Sequence, residues 1–495
     1  MSILFLSLLS NSKQLPTRLL EITTRPYLYG LSQKLHKQIT TFRDIPDSEF
    51  QSWKEKGFEW VWFMGVWQIG ELGPQHDRTD PGLKKSYDQV LPGWTNDDVI
   101  GSPYSITEYK LNKQLGTEED LKWLRQKLHS YGMKLMLDFV PNHSACDAPT
   151  ITTNLNFYVR CPKGETPDPS KYMSNGIAYG CGIWCDPWTD VAQYNYADAE
   201  FRKHQIAVLK YIASVADGCR CDMSHLIIND EFWDYWQTQL TSWGYTKPTT
   251  EFWTEAISAV KASYPDFKFM AESYGDVLSK LHSFGFDWTY DKDPLDKLYY
   301  HDLNGYQQYV ANHNIDFFSK TAHFTENHDE PRTVDKFWNW DPAADCAAAT
   351  LLTLPGLRFF FQDQWLGYKN KIDVHLRRAA SEDTRPDITQ FYDVLFKVLD
   401  LDALKKGEFT QLWVSGSSTI PAWKWVSGSQ HILVVANFNE NTSGGSVVLS
   451  DAPGTGNIQV KELVSGETYT RKAEDLRSTG LYVILNQYQV QIFQY

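Results

Sequence analysis

Short apolar runs alternate with longer amphipathic stretches from about residue 25 to residue 400. This order is typical of a parallel sheet whose strands are joined by helical crossovers. In Thr117–Ser130, for example, Leu121, Leu124 and Leu128 form an apolar stripe at helical spacing, behind two glutamates that suit a helix N-terminus. The pattern predicts an α/β barrel with eight strands, at Pro26–Gly30, Trp60–Val66, Lys134–Val140, Gly218–Met223, Phe267–Glu272, Phe286–Tyr290, Thr321–Thr325 and Leu357–Phe361.

Two segments depart from this alternation and predict further domains. Residues 141–190 are rich in Pro, Gly, Asn, Tyr and Cys and lack a helical period, so we expect an inserted domain after strand three that overhangs the barrel rim. Residues 403–495 alternate apolar and polar positions between Gly, Asn and Ser turns, which predicts a C-terminal antiparallel β-sandwich. The barrel then comprises residues 21–140 and 191–402, behind an N-terminal tail or targeting segment at residues 1–20.

The composition of the chain indicates which kinds of molecule the protein binds. A chain of 495 residues exceeds one ordinary core, in agreement with a large domain and smaller ones. The net charge of −14 and the absence of a Lys/Arg-rich block argue against a nucleic-acid partner. Aromatic residues make up 15% of the chain, and we expect most of them in the core. An excess of aromatic rings also fits a carbohydrate site, with candidate sugar platforms at Trp67, Trp94, Trp184 and Trp188.

The cysteines and the N-terminus bear on the compartment. Cys161 could pair with Cys181 or Cys185, but seven cysteines leave at least one thiol free, and reduced thiols favour a cytoplasmic protein. The apolar run Ile3–Leu9 is too short to span a bilayer, so no membrane association is expected. The acid-free residues 1–20 fit either a disordered tail or an organelle transit peptide, and secretion also stays open.

Charged and polar clusters follow four of the predicted strands. They are Asp138–His143, Gly218–Asp222, Glu272 and Glu326–Asp329. In barrels of alternating strands and helices, the carboxyl ends of the strands supply the active site. Three acids, two histidines and an arginine are therefore predicted to converge on one rim.

The spacing of these residues predicts glycoside chemistry. Arg220 and Asp222 are two apart on a strand, so they share a face, and the guanidinium would keep the carboxylate ionised. Two carboxyl groups about 5 Å apart hydrolyse a glycoside with retention, one as nucleophile and the other as acid and base. Glu272 would be the second carboxyl group, and Asp329 would face the cationic transition state.

Each residue taken alone has a simpler structural explanation. An Asp beside an Arg is often a structural ion pair, His328 could be a satisfied buried histidine, and Glu272 could be a solvated rim residue. Together they lack such an explanation, because burying three carboxylates near one another is costly unless function retains them.

At these motifs the sequence resembles the α-amylase family of retaining glycoside hydrolases and transglycosylases, which folds as a (β/α)8 TIM barrel. The four family signatures correspond in order to Asp138–His143, Gly218–Asp222, Phe269–Glu272 and Phe324–Asp329. The resemblance implies that Asp222 is the nucleophile, Glu272 the acid/base and Asp329 the transition-state stabiliser. It further implies sugar-binding roles for Tyr104, His143, Arg220 and His328, and supporting roles for Asp138 and Asn327.

Two features limit what the resemblance implies. In α-amylases a Lys-His pair soon after the nucleophile contacts the sugar beyond the scissile bond, whereas here His225 and Leu226 occupy those positions. This difference disfavours endohydrolysis of starch chains, but it does not affect the prediction that the protein cleaves glycosidic bonds. The family's structural calcium would use Asn142, with further ligands from the insertion that the sequence does not identify.

The sequence therefore predicts an α-amylase-like hydrolase of α-glucans or α-linked oligosaccharides, with chemistry that requires no cofactor. A transglycosylase or glucosyl isomerase using the same covalent intermediate is the alternative. A catalytically silent carbohydrate-binding scaffold is disfavoured because all three acids are present.

Overall fold

The computed structural model describes residues 15–181 and 187–495. Eight parallel strands close a barrel in sequential order, so β1 lies opposite β5. The predicted barrel is confirmed. The strands are β1 Thr17–Thr23, β2 Trp60–Met64, β3 Lys134–Phe139, β4 Gly218–Cys221, β5 Lys268–Ala271, β6 Trp288–Tyr290, β7 Thr321–His323 and β8 Leu357–Phe361.

The first strand is not where the sequence pattern predicts it. Pro26–Gly30 is part of the helix Thr24–Leu35, where a proline in the first turn loses no helical hydrogen bond. The strand is instead β1, which is buried along its whole length and includes residues 17–20, assigned above to the tail. Arg18 and Glu21 interrupt its apolar run. Arg18 pairs with the partly exposed Asp400 and Glu21 with the buried His328, and a local pattern cannot show these distant partners. The rest of the predicted tail, residues 1–14, lies outside the described residues.

Helices cover the outside of the barrel and fill its longer connections. The α-helices are Thr24–Leu35, Asp47–Glu55, Leu72–Asp77, Pro81–Val90, Glu118–Ser130, Thr150–Thr153, Ala199–Val215, Asn229–Ser242, Phe252–Lys261, Leu278–Phe284, Asp293–Tyr299, Leu303–Asn312, Ile315–Phe318, Thr333–Lys336, Asp341–Leu352, Pro386–Leu399, Asp402–Lys406 and Ala473–Ser478. Among the described residues, no helix combines the length and the apolar character needed to cross a lipid bilayer.

Aromatic rings fill the barrel interior. The Trp62 ring lies 6.0 Å from that of Phe359, and Tyr290 lies 5.2 Å from Phe324 and 5.5 Å from Phe359. These rings are almost completely buried. Much of the aromatic excess therefore belongs to the core, as expected from the energy of burying large rings.

The insertion after β3 contains a small antiparallel sheet of three strands, at His143–Ala145, Tyr179–Gly180 and Trp188–Gln193. The middle strand of this sheet, Trp188–Gln193, carries side chains to the barrel rim. The thiol of Cys161 is free, so neither of the two possible disulfides considered for it is formed. Cys185 lies outside the described residues.

A second insertion follows β2, and the sequence pattern did not predict it. Its strands Trp67–Ile69 and Ile106–Leu111 pair with each other and enclose a helical lobe, residues 72–100. Asp98 pairs with Arg378, with 2.8 Å between Asp98 Oδ1 and Arg378 Nε. An apolar cluster joins the lobe to the segment after β8 and comprises Tyr87, Leu91, Val99 and Leu376. The lobe is therefore fixed against the loop that follows β8.

The C-terminal domain is antiparallel, as predicted. Hydrogen bonds connect its eight strands into one sheet, in the order β14-β13-β16-β11-β10-β9-β12-β15. Trp423 and Trp425 dock the sheet on the barrel, since both indole N–H groups donate to Thr353. The strands are β9 Glu408–Ser415, β10 Ser417–Ser427, β11 Gln430–Asn437, β12 Ser443–Val447, β13 Asn457–Glu462, β14 Thr468–Lys472, β15 Leu481–Leu485 and β16 Gln489–Gln494.

Candidate active site

A single buried guanidinium joins two carboxylates at the carboxyl end of the barrel. Arg220 Nη1 lies 2.6 Å from Asp222 Oδ1, and Arg220 Nη2 lies 2.7 Å from Glu272 Oε2. Arg220 is fully buried on β4, while Cys219 and Cys221 place their Sγ atoms 3.5 Å apart on the other face of that strand. Strand alternation therefore directs Arg220 inward, as the sequence predicts.

The turn after Asp222 holds the Glu272 carboxyl group. Met223 adopts a left-handed conformation, with φ of 39°, and its N–H donates to Glu272 Oε2 at 2.8 Å. The Tyr274 hydroxyl donates to Glu272 Oε1, also at 2.8 Å. A strained residue at a turn is often retained by function. Here it aims a backbone donor at the second carboxyl group.

Electrostatics couple the two carboxyl groups. Burial raises the pKa of Asp222 to about 7, while the Arg220 guanidinium opposes this rise and the neighbouring Glu272 adds to it. Burial and the charge of Glu272 therefore disfavour the ionised form of Asp222, whereas Arg220 favours it.

The turn after β7 presents Asp329. The Asn327 side-chain oxygen accepts the backbone N–H groups of Asp329 and Glu330, each at 2.8 Å, and so shapes this turn. His328 Nε2 lies 3.1 Å from Asp329 Oδ2 and 3.0 Å from the Tyr104 hydroxyl. Burial would raise the pKa of Asp329, but His328 holds it well below its usual range. Asp329 is therefore ionised at neutral pH.

One cavity of about 640 Å³ brings these groups together. Its lining includes Asp222, Glu272 and Asp329, together with Tyr104 and His143. Arg220 and His328 lie behind this lining as buried supports. Burial lowers the pKa of His143 to about 4, so its imidazole is neutral at pH 7.

The tryptophans predicted as sugar platforms do not share one environment. Trp188 lines the cavity, 5.6 Å from the His143 ring. Trp67 is fully buried and donates to the backbone oxygen of Asp138, and Trp94 donates to Asp88 outside the cavity. The prediction for Trp67 is wrong, because its indole is fully buried and cannot meet a sugar. The prediction for Trp94 stays a prediction. Trp184 lies outside the described residues.

Comparison with known proteins identifies the family. Residues 94–392 match the family model described as alpha amylase, catalytic domain. The chain belongs to the α-amylase family.

Relatives within the α-amylase family are distant. Probable oligo-1,6-glucosidase 2 of Bacillus subtilis is 23% identical over 54% of this chain and 56% of that protein, so the chain spans about half the length of this relative. Alpha-amylase 3 of Dictyoglomus thermophilum is 21% identical over 68% of this chain and 75% of its own. An α-amylase structure from Lactobacillus plantarum superimposes with a TM-score of 0.70 at 20% identity, covering 97% of this chain and 98% of the other. That likeness shows a shared fold.

Asp138 supports the family site from below. Its carboxylate accepts the Trp62 indole N–H at 3.0 Å and the Gly65 backbone N–H at 2.8 Å. Gly65 has φ of 74°, and a Cβ atom there would lie 2.6 Å from Pro103, the residue before Tyr104. Asp138 thus fixes the close approach that positions Tyr104. Burial raises the pKa of Asp138 to about 6.

The residues around Asn142 do not fit the family's calcium ion. The Gln193 side-chain amide donates to both the side-chain oxygen and the backbone oxygen of Asn142, each at 3.0 Å, and lies 3.3 Å from the Tyr194 backbone oxygen. The neutral Gln193 amide thus occupies the Asn142 oxygens that would have to bind a cation. Carboxylates, which Ca²⁺ prefers as ligands, do not surround these oxygens among the described residues. Within residues 15–181 and 187–495, no three Asp, Glu, His or Cys side chains could hold a metal together.

Glu21 is a site residue that the sequence analysis missed. Its Oε1 lies 2.5 Å from His328 Nδ1, and both side chains are almost completely buried. With Asp329 on the other ring nitrogen, both nitrogens of His328 donate. Burial would lower the pKa of His328, but Asp329 and Glu21 raise it to about 10. The only available signal was an isolated glutamate in an apolar run, which was assigned to the segment before the first strand.

We expect Glu21→Gln to lower kcat/KM on a chromogenic α-glucoside by about tenfold at pH 7, because the amide keeps the hydrogen bond to His328 but removes its negative charge. The pKa of His328 should then fall by about one unit or more. Because the imidazolium is lost as pH rises through this pKa, the alkaline limb of the pH profile should move to lower pH. A pH series of kcat/KM measures the shift.

Glu59→Gln is the control for this prediction. Glu59 is exposed and directly precedes β2, at the opposite end of the barrel from the site. Its substitution should leave the profile unchanged. An unshifted alkaline limb in Glu21→Gln would show that Glu21 does not act through the charge of His328.

Proposed function

We propose that the protein is a retaining glycoside hydrolase that cleaves α-glucosidic bonds in α-glucans or oligosaccharides. The observation that carries this proposal is the Arg220 guanidinium shared by Asp222 and Glu272. Sharing one cation keeps the two carboxyl groups close, which favours double displacement over inversion. The lining of one cavity by both groups and Asp329 supports the same chemistry.

In the first half-reaction, the Asp222 carboxylate attacks the anomeric carbon and forms a covalent β-glucosyl ester. The bond to the glycosidic oxygen breaks as Glu272 gives that oxygen its proton. Asp329 faces the positive charge that develops on the sugar ring, and its low pKa keeps it ionised for this purpose. Arg220 holds Asp222 in the orientation of attack.

In the second half-reaction, the ionised Glu272 takes a proton from water. The resulting hydroxide attacks the anomeric carbon, the ester bond to Asp222 breaks, and an α-configured product leaves. Microscopic reversibility assigns both proton transfers to the same group. Tyr104, His143 and His328 surround the reacting sugar unit in this scheme.

A transglycosylase or isomerase is the second candidate, favoured by the segment that follows the nucleophile. His225 and Leu226 replace the Lys-His pair of α-amylases, and the His225 ring lies 6.2 Å from that of Tyr274. Burial lowers the pKa of His225, so this side of the site presents a neutral imidazole instead of a cationic side chain. A sugar hydroxyl in place of water would then resolve the same ester.

Product analysis distinguishes the candidates. The protein is incubated with α-1,4- and α-1,6-linked oligosaccharides and with sucrose, and the products are resolved by size and anomeric form. Hydrolysis gives free reducing sugar whose fraction does not fall at high acceptor concentration. Longer or isomeric saccharides that increase with acceptor indicate transfer. An absence of any turnover would refute both and leave a silent scaffold.

A further inference from the structure

A second cavity lies between the helix Thr24–Leu35 and the insertion after β2. Its volume is about 690 Å³. Among the described residues, it shares no lining side chain with the active-site cavity, which the lobe and the loop after β8 reach through other residues such as Asp77 and His375. The charged residues of its lining are Arg25, Glu71, Arg78, Asp97, Lys113 and Arg377. Cations therefore outnumber acids here, although the whole chain carries a net charge of −14.

Arg25 is a cation of this lining without a counter-charge. Its side chain is half-buried, its Nε is fully buried without a hydrogen-bond partner, and no carboxylate within residues 15–181 and 187–495 pairs with it. Residues 1–14, which precede it, contain no Asp or Glu. Burial lowers the pKa of Arg25 to about 10, so the group stays charged at pH 7. A charge withdrawn from water without a partner is costly, so a bound anion would stabilise it.

Two further cations of the cavity also lack ion pairs. Arg78 donates to two backbone oxygens, at 3.1 Å each, and Lys113 is exposed. In the described part of the chain neither of them pairs with a carboxylate, and the exposed acids Glu71 and Asp97 form no ion pair with either. Arg377 differs, since a buried carboxylate of the lobe lies 3.1 Å from its Nε. Three of the four cations are thus uncompensated, which gives the cavity a positive potential.

The lining indicates which anion fits. A guanidinium binds phosphate oxygens through paired hydrogen bonds, and three unpaired cations match the charge of a phosphate monoester, about −2 at pH 7, better than that of a carboxylate. The volume is in the range of small-molecule sites and exceeds what a phosphate ion needs. Side-chain amides, which both donate and accept as sugar hydroxyls do, complete the lining at Gln33, Gln38, Gln68 and Gln114.

We propose that this cavity binds a small phosphorylated sugar, with its phosphoryl group on Arg25, Arg78 and Lys113 and its hydroxyls on the glutamine amides. Arg25 belongs to the helix after β1, whereas Arg78 and Lys113 belong to the insertion after β2. The ligand therefore bridges these two elements. It leaves the active-site cavity free, because the two cavities have separate linings.

Calorimetric titration of the full-length protein with glucose 6-phosphate tests the site. We expect one molecule bound per chain. Inorganic phosphate should bind about tenfold or more less tightly, because it lacks the hydroxyl contacts, and glucose should not bind detectably without the phosphoryl group. Saturating maltotriose should leave the Kd for glucose 6-phosphate unchanged.

Substitutions of the cations locate the bound ligand. Arg25→Gln should weaken the Kd for glucose 6-phosphate by about tenfold or more, and Arg25→Lys by less, since it keeps the charge and loses the paired donors. Because Arg25 has no ion pair in the described fold, Arg25→Gln should not lower the Tm of the unliganded protein. Lys113→Gln, at an exposed position, should weaken the Kd by about threefold or more. Arg471→Gln, exposed in the C-terminal domain, is the matched control and should change neither Kd nor Tm.

Four results would overturn the proposal. Glucose that binds as tightly as glucose 6-phosphate would show that the phosphoryl group is not recognised, and inorganic phosphate of equal affinity would show that the sugar is not. Displacement by maltotriose would place the ligand in the active-site cavity. A wild-type Kd in both Arg25→Gln and Lys113→Gln would place it elsewhere. If Arg25→Gln fails to fold, Lys113→Gln decides alone. None of these measurements depends on turnover, so a negative result leaves the proposed function intact.

Discussion

Asp222→Asn should lower kcat/KM on a chromogenic maltooligosaccharide by about 10⁴-fold or more, because the amide cannot form the glucosyl ester. The substitution preserves the shape of the side chain, and Arg220 keeps its ion pair with Glu272. Steady-state kinetics measure the loss. Substrate binding should persist, since the sugar contacts from Tyr104 and His143 are unchanged.

Asp266→Asn is the matched control for the nucleophile. Asp266 is exposed ahead of β5, away from the cavity, and its substitution should leave kcat/KM unchanged. Turnover by Asp222→Asn at the wild-type rate would refute the assignment of the nucleophile. It would also separate this protein from the chemistry of its family.

Glu272→Ala should lower kcat by about 10²- to 10⁴-fold on saccharides, whose leaving oxygen needs a proton. On α-glucosyl fluoride the first step should be much less affected, because fluoride leaves without protonation. Added azide should restore turnover and yield α-glucosyl azide, since it attacks the β-glucosyl ester without a general base. Rates and the configuration of the azide product provide the measurement.

The saccharide and the fluoride serve as each other's control in this variant. Equal losses on both substrates would show that Glu272 does not donate the proton. A β-configured azide would show that azide attacks the substrate directly, which would place the nucleophile elsewhere.

Local sequence information predicted the strands that carry the candidate catalytic residues. β3, β4, β5 and β7 are short apolar runs with a polar cluster at the end, and a buried parallel strand needs little else. Arg220 and Asp222 share a face because side chains alternate along a strand. The polar clusters that directly follow these strands therefore lie at the rim of the barrel, where the sequence predicts them.

Long-range contacts explain what the sequence analysis missed. β1 contains Arg18 and Glu21, whose partners Asp400 and His328 lie more than 300 residues away. The charges of Arg18 and Glu21 made the buried strand β1 look polar, whereas the apolar start of the following helix had the pattern of a strand. Asp77 and His375 come together only because the lobe after β2 docks on the loop after β8, through contacts such as Asp98 with Arg378. No local pattern encodes such pairings.

The same reasoning explains why the sequence does not distinguish among the candidate tryptophans. A tryptophan on a rim loop can either stack on a sugar or fix the loop through its N–H group. Trp67 and Trp94 have polar partners within the fold, whereas Trp188 lines the cavity. The partner of each indole, which decides between the two uses, is visible only in three dimensions.

Trapping the covalent intermediate would show directly whether Asp222 is the nucleophile. The protein is treated with 5-fluoro-α-glucosyl fluoride, which forms the glucosyl ester quickly and hydrolyses it slowly, and its peptides are analysed by mass spectrometry. We expect one added fluoroglucosyl unit on the peptide that contains Asp222. A label on any other carboxylate, or turnover of the reagent that never passes through a labelled protein, would contradict double displacement at Asp222.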